Sequence, residues 1–207
     1  MPEACGNFVS EEGLSLFYRF WEATQTKGVC LVAHGIGEHS GRYTELAKQL
    51  NTAGFSVWAL DFRGHGQSQG RRGDCRSLGE LVEDLHRLIK TSLVNLPHLP
   101  RILIGHSLGG LVALACAEKH PTLLRGVAVS SPALKLAQEP STLKVGLAEI
   151  SSKLLPTTPI SNGVIPAYLC RDPEIIRRYT CDPLVHRMIP ARAVVALRQA
   201  MRNSHSL

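Results

Sequence analysis

Through residue 130 the chain alternates compact apolar runs with longer stretches whose apolar residues recur three or four apart. Residues 14–20 begin with a two-residue alternation and predict a strand. Residues 28–33 and 55–60 are mostly apolar runs of strand length, closed by His34-Gly35 and by Asp61. Between them, residues 43–53 put Leu46, Ala47 and Leu50 on one face and stop at Gly54, which predicts a helix. Residues 78–93 carry a longer stripe, Leu81, Val82, Leu85, Leu88 and Ile89, that of an amphipathic helix. Residues 101–104 read as a further strand, which leads through a glycine-bracketed turn into helical residues 111–117, stopped by Pro121. Residues 126–130 are the last predicted strand. Strands separated by helices imply parallel crossovers, hence an α/β sheet covered on both faces.

After Ser131-Pro132 the texture changes. Residues 134–155 have helical propensity interrupted by Pro140, and Pro156 and Pro159 break the chain. Asp172-Pro173 and Asp182-Pro183 read as helix starts or turns, and residues 191–202 as a helix with Val194, Val195, Leu197 and Met201 available for packing. No convincing buried strand is expected here. The predicted organisation is a core over residues 1–133 and a helical lid over 134–207.

Composition narrows the picture. A chain of 207 residues with 44% hydrophobic content fits one globular domain with a substantial core. The longest apolar stretch, about residues 110–117, is too short to span a bilayer, and the N-terminus lacks the pattern of a signal peptide. Six scattered cysteines show no metal-ligand spacing, and Cys30 and Cys116 sit in apolar runs as buried thiols. A reducing cytoplasm without disulfide, metal or cofactor is the expectation. The net charge of +6 divides as +1 up to Pro140 and +5 beyond it. That basic half is either a solvated helix face or a surface for peripheral contact with anionic membrane lipids. Nucleic-acid binding is not expected, because only 5% of residues are aromatic and no basic–aromatic interleaving occurs.

The candidate chemistry sits at strand ends, where open α/β sheets form ligand sites. Gly105-His106-Ser107-Leu108-Gly109 places a serine at the apex of a strand–turn–helix, the nucleophile-elbow arrangement. Such a turn projects the hydroxyl away from the sheet, beside the free N–H groups of a helix N-terminus. His34-Gly35-Ile36-Gly37-Glu38-His39-Ser40-Gly41-Arg42-Tyr43 follows one strand, and Asp61-Phe62-Arg63-Gly64-His65-Gly66-Gln67-Ser68 follows the next.

With these three motifs in order, the chain resembles the α/β-hydrolases, above all the monoacylglycerol lipase and lysophospholipase (serine aminopeptidase-like) group. The resemblance covers nearly all of residues 8–207. It implies Ser107 as nucleophile forming an acyl-enzyme, with an oxyanion hole from the backbone N–H groups of Ile36 and Leu108. Gly35 and His106 would border the substrate, His106 as a structural hydrogen-bonder rather than the general base. His34, His65, Asp61 and Arg63 would stabilise the loops. In the lid, Leu143, Val145, Leu147, Ile150 and Leu154 are candidates for an acyl-chain tunnel or for plain core packing, Leu143 and Leu147 being the named substrate contacts. The partner implied is a lipid-like ester.

One departure matters. In this group the acid and base follow the nucleophile in the order Ser, Asp, His. After Ser107 the histidines are His120, His186 and His205, and the cap carboxylates Asp172 and Asp182 precede prolines. None is placed as the triad's acid or base. The expectation is an incomplete copy of a serine ester hydrolase, lacking the last strands of the sheet and with little activity. The alternatives are a non-catalytic lipid- or acyl-binding module that keeps the pocket and cap, and a half-molecule completed by a partner.

Overall fold

The fold was analysed in a computed structural model, which describes residues 3–136 and 141–204. The chain opens with a hairpin, β1 (Glu3–Val9) and β2 (Ser15–Trp21), followed by β3 (Gly28–Ala33), α1 (Thr44–Thr52) and β4 (Phe55–Leu60). Then come α2 (Leu78–Asn95), β5 (Arg101–His106), α3 (Leu108–Lys119) and β6 (Gly126–Ser130). The remainder holds α4 (Thr142–Leu154), β7 (Pro159–Ser161), α5 (Pro173–Cys181), β8 (Met188–Pro190) and α6 (Ala191–Asn203).

Six strands form one sheet in the order β1-β2-β4-β3-β5-β6. The four strands from β4 to β6 are parallel and β1 and β2 add on antiparallel. The strands β3, β4 and β6 have the bounds that the apolar runs predict. The central strand β3 is buried along its whole length, and its alternation divides the core in two. Val29, Leu31 and Ala33 pack with Leu81, Leu85, Leu88 and Ile89 of α2 and Val112 and Cys116 of α3. Cys30 and Val32 pack on the other face with Trp21, Val57 and Ala47 of α1. Helices therefore cover both faces, as the pattern predicts. Burial pushes the Cys30 thiol up to about 11 and that of Cys116 up to about 12, fitting the inert buried thiols expected of them. At the far edge of the described sheet, β6 exposes Ala128, Val129 and Ser130.

Two features depart from the predicted elements. The hairpin strand β1 was not legible, because Glu3-Ala4-Cys5-Gly6-Asn7 has little β-propensity and most of β1 is exposed. It is held by its full register with β2 and by the turn at Ser10–Leu14, where Gly13 adopts φ 84°. The C-terminal part contains the short antiparallel pair β7–β8, in which Ile189 and Pro190 are buried. Three-residue strands carry too few positions for a periodicity to register. Of the helical stretch expected over 134–155, Thr142–Leu154 forms α4, residues 134–136 are not helical, and residues 137–140, with Pro140, lie outside the described part.

Candidate active site

The elbow at Ser107 is built by glycine and by hydrogen bonds. Ser107 lies at φ 52°, ψ −118°, between the end of β5 and the first residue of α3. Held in place, such a conformation stores on the order of 1–3 kcal/mol of strain. Its N–H donates to the Ser130 carbonyl at 3.0 Å, and its own carbonyl accepts from Gly110 at 3.0 Å and Ala133 at 2.9 Å. A Cβ on Gly105 would stand 2.7 Å from Gly110 Cα, and one on Gly109 2.5 Å from the His34 carbonyl oxygen. The two flanking glycines let β5, α3 and the end of β3 pass within backbone contact.

The loop after β3 is folded onto this serine. A Cβ on Gly35 would lie 3.2 Å from Ser107 Cβ and 3.4 Å from His106 Cδ2, so Gly35 backs directly onto the elbow. Ile36 and Gly37 form the turn that follows, with Gly37 at φ 76°. A Glu38 carboxylate holds the loop in shape: Oε1 accepts from the Gly35 N–H at 2.7 Å and the Tyr43 hydroxyl at 2.8 Å, and Oε2 from Arg42 Nε at 2.8 Å. Burial works against that charge, but these donors outweigh it and keep the carboxyl below the usual carboxylate range. Gly35 is thus brought against Ser107, with Ile36 next in the chain, and Leu108, buried as the first residue of α3, follows Ser107 directly. Among the described residues, no side chain is hydrogen-bonded to the Ser107 hydroxyl.

The neighbouring histidines serve the loops. His34 is fully buried; its Nε2 accepts from the Phe62 N–H at 3.0 Å, which fixes Nδ1 as the protonated nitrogen donating to the Gly35 carbonyl at 2.7 Å. Burial lowers the pKa of His34, and that of His65 well below the usual histidine value. His65 Nδ1 bonds the Arg63 carbonyl at 2.9 Å. Asp61 accepts from the Ser40 N–H at 2.7 Å and the Gln67 N–H at 2.8 Å, joining the two strand-end loops. Arg63 grips the fully buried Asp84 through two bonds of 2.7 Å. These are the loop-stabilising roles that the resemblance implied. His106 Nδ1 lies 3.1 Å from the Ser130 carbonyl oxygen, a structural bond between β5 and β6. The His106 ring also lines a cavity of about 330 Å³ with Glu38, Arg42, Tyr43, Leu46, Ile104 and Ser130.

The C-terminal segment is tied to the loop after β3. His39 Nε2 donates to Asp182 Oδ2 at 2.9 Å, the His186 N–H donates to the Gly37 carbonyl at 2.9 Å, and Arg42 stacks 4.6 Å over the Tyr179 ring. Neither Glu38 nor Asp182 stood out in the sequence as a site residue. The signal for Glu38 was Arg42 and Tyr43, four and five residues on; Asp182 read as a turn former, which it also is, accepting from the Leu184 N–H at 2.9 Å. Asp172 caps α5 as expected, accepting from the Glu174 N–H at 2.8 Å. Leu143 and Leu147 lie on α4, 72% and 56% exposed, and line neither the cavity beside His106 nor the elbow. His205 lies outside the described residues.

The strained turn at Ser107 and the loop packed against it can be compared with known proteins. A family model described as serine aminopeptidase, S33, matches residues 24–206. The chain belongs to the serine aminopeptidase S33 family. Within it, the chain is similar to a monoacylglycerol lipase of Mycolicibacterium smegmatis, 38% identical over 94% of this chain and 71% of the relative. A monoglyceride lipase of Rattus norvegicus is 37% identical over 86% of this chain. The chain spans 59% of that relative's length. The crystal structure of a Paleococcus ferrophilus monoacylglycerol lipase superposes with a TM-score of 0.77 at 34% identity, covering 100% of this chain and 72% of that one. The α/β-hydrolase architecture expected from the motifs is therefore the fold of this family member. Among the described residues no helix is long and apolar enough to cross a membrane.

Proposed function

We propose that this chain carries the nucleophile and oxyanion-binding half of a carboxylic ester hydrolase acting on a monoacylglycerol-like or lysophospholipid-like ester. The observation that carries the reading is the strained Ser107 elbow with Gly35 packed against it. Ser107 Oγ would attack the acyl carbonyl, and the N–H groups of Ile36 and Leu108 would receive the developing oxyanion. One such donor is typically worth about 3–4 kcal/mol in the transition state. Attack needs a base to take the hydroxyl proton. No imidazole among the described residues is hydrogen-bonded to Ser107, so turnover by these residues alone is expected to be residual, at roughly the 10³–10⁴-fold over water that an oxyanion site retains without a working triad. The names of the two relatives, monoacylglycerol lipase and monoglyceride lipase, support a monoacylglycerol as substrate.

The apolar stripe of Leu143, Leu147, Ile150 and Leu154, exposed along α4, favours a second reading, an acyl-binding module without chemistry. Hydrolysis of a monoacylglycerol by the 207-residue chain and by Ser107→Ala separates the two. The ester-hydrolase reading expects a slow release of fatty acid that Ser107→Ala abolishes. A rate unchanged by Ser107→Ala would overturn it, and equal binding of the monoacylglycerol by both proteins without any turnover would favour the module.

A further inference from the structure

At the end of α3 remote from Ser107, about 18 Å along a helix of this length, three side chains converge that ester hydrolysis does not use. Glu83 and His86 stand at i and i+3 on α2 and so share a face. His120 ends α3, its N–H bonded to the Cys116 carbonyl at 2.9 Å. The rings of His86 and His120 stack across the α2–α3 seam, 3.7 Å between centroids and 17° from parallel. One donor atom from each of Glu83, His86 and His120 lies within 4.8 Å of the others.

Two of these donors are left without partners. His86 Nδ1 and His120 Nε2 are both buried and accept or donate no hydrogen bond, and His86 as a whole is 8% exposed. A Glu83 oxygen stands 3.5 Å from His86 Nδ1, beyond a good hydrogen bond. Buried unpaired polar nitrogens are costly, and native interiors pair nearly all of them. Two imidazole nitrogens and a carboxylate gathered within 4.8 Å of one another are, by ligand type, a set that satisfies a divalent transition metal.

We propose that Glu83, His86 and His120 form a binding site for a first-row divalent metal, best matched by Zn²⁺, that clamps α2 to α3. Three protein ligands leave a fourth position for water. Tetrahedral coordination at zinc–ligand distances of about 2.0–2.1 Å brings donors to roughly 3.3 Å from one another. Binding therefore turns both rings out of their stack until the nitrogen lone pairs meet at one point. Arg87, 3.7 Å from the other Glu83 oxygen, competes for that carboxylate, and Lys90 and Lys119 add positive charge near His120. The site is accordingly weaker than a closed four-ligand zinc site.

The test is titration of the 207-residue chain with Co²⁺ as a spectroscopic probe and with Zn²⁺ in competition with a chromophoric chelator. The expected result is one saturable equivalent per chain, with visible Co²⁺ bands and no thiolate charge-transfer band. His120→Ala should weaken binding at least about tenfold, whereas Cys5→Ser and Cys181→Ser, which remove exposed thiols, should leave it unchanged. Zn²⁺ at about 100 times its Kd should raise Tm by roughly 5–10 °C in the parent and not in the variant. Glu83→Gln, of equal size and on the helix surface, gives the same reading if His120→Ala fails to fold by circular dichroism. No saturable binding, thiolate bands, or affinity unchanged in the variant that folds would each overturn the proposal.

Discussion

Replacing Gly109 by alanine and replacing Gly146 by alanine are the same chemical change, both inside helices, with opposite consequences expected. In an exposed helix interior, Ala is favoured over Gly by about 0.8–1.0 kcal/mol. Gly146, inside α4, has nothing within 4 Å of an added Cβ. Gly146→Ala should therefore stabilise the protein by about 1 kcal/mol. Gly109 lies in the first turn of α3 with its α-carbon against the end of β3. An added Cβ would stand 2.5 Å from the His34 carbonyl oxygen and closer still to Ala33 O and C. Both neighbours are backbone, so no rotamer change relieves the overlap, and α3 must lift from β3 by about 1 Å to restore van der Waals contact. Overpacking costs about 1–3 kcal/mol and occasionally more. Because the obstruction is a central strand, the expected net loss for Gly109→Ala is about 3 kcal/mol. In a domain of this size that is roughly 6–12 °C in Tm, against a gain of roughly 2–4 °C for Gly146→Ala. Urea denaturation and scanning calorimetry of the two variants beside the parent measure it. Gly109→Ala within about 0.5 kcal/mol of the parent, or Gly146→Ala less stable than it, would refute the reasoning.

Asp61→Asn turns an amide N–H₂ toward a backbone N–H donor, at either Ser40 or Gln67, and should cost about 3 kcal/mol in urea denaturation; a loss under about 1 kcal/mol would show that the two loops do not depend on that carboxylate. Arg63→Met strands the carboxylate of Asp84, 0% exposed, and should cost about 3–5 kcal/mol. Adding Asp84→Leu should recover roughly half of that, since an apolar pair can replace a buried ion pair. Burial depresses the folded-state pKa of His34, His65 and His186. The unfolded chain then binds more protons than the folded one just below about pH 6.5, so stability is full above that pH and falls as pH drops through it, by up to about 1.4 kcal/mol per pH unit for each histidine. Tm measured from pH 8 to 5 should show that fall, and a flat profile would mean that the three rings charge without unfolding cost.

The core was legible because burial on both faces leaves a simple trace. The strands β3 and β4 sit at the centre of the sheet, must be apolar at nearly every position, and read as mostly apolar runs with sharp ends. The elbow was legible for a related reason: only glycine fits at positions 105 and 109, where a Cβ would meet backbone. What was not legible depends on partners distant in sequence. Strand β1 exists through its register with β2, and β7 through β8 almost 30 residues on, a pairing that no local periodicity reports. Glu38 and Asp182 are ordinary acidic residues in the sequence, and their roles arise only when Gly35, Tyr43 and His39 are folded around them. His86 and His120, 34 positions apart, meet only because α2 and α3 lie side by side.

The central proposal, that the strained elbow sets Ser107 as the reacting serine against an oxyanion-binding loop, is tested most directly by covalent labelling with a fluorophosphonate probe followed by peptide mass spectrometry. The account predicts that the probe marks the peptide containing Ser107 ahead of every other serine in the chain, and that Ser107→Ala abolishes the mark in a protein that remains folded. A folded chain in which Ser107 reacts no faster than surface serines such as Ser152 would contradict it.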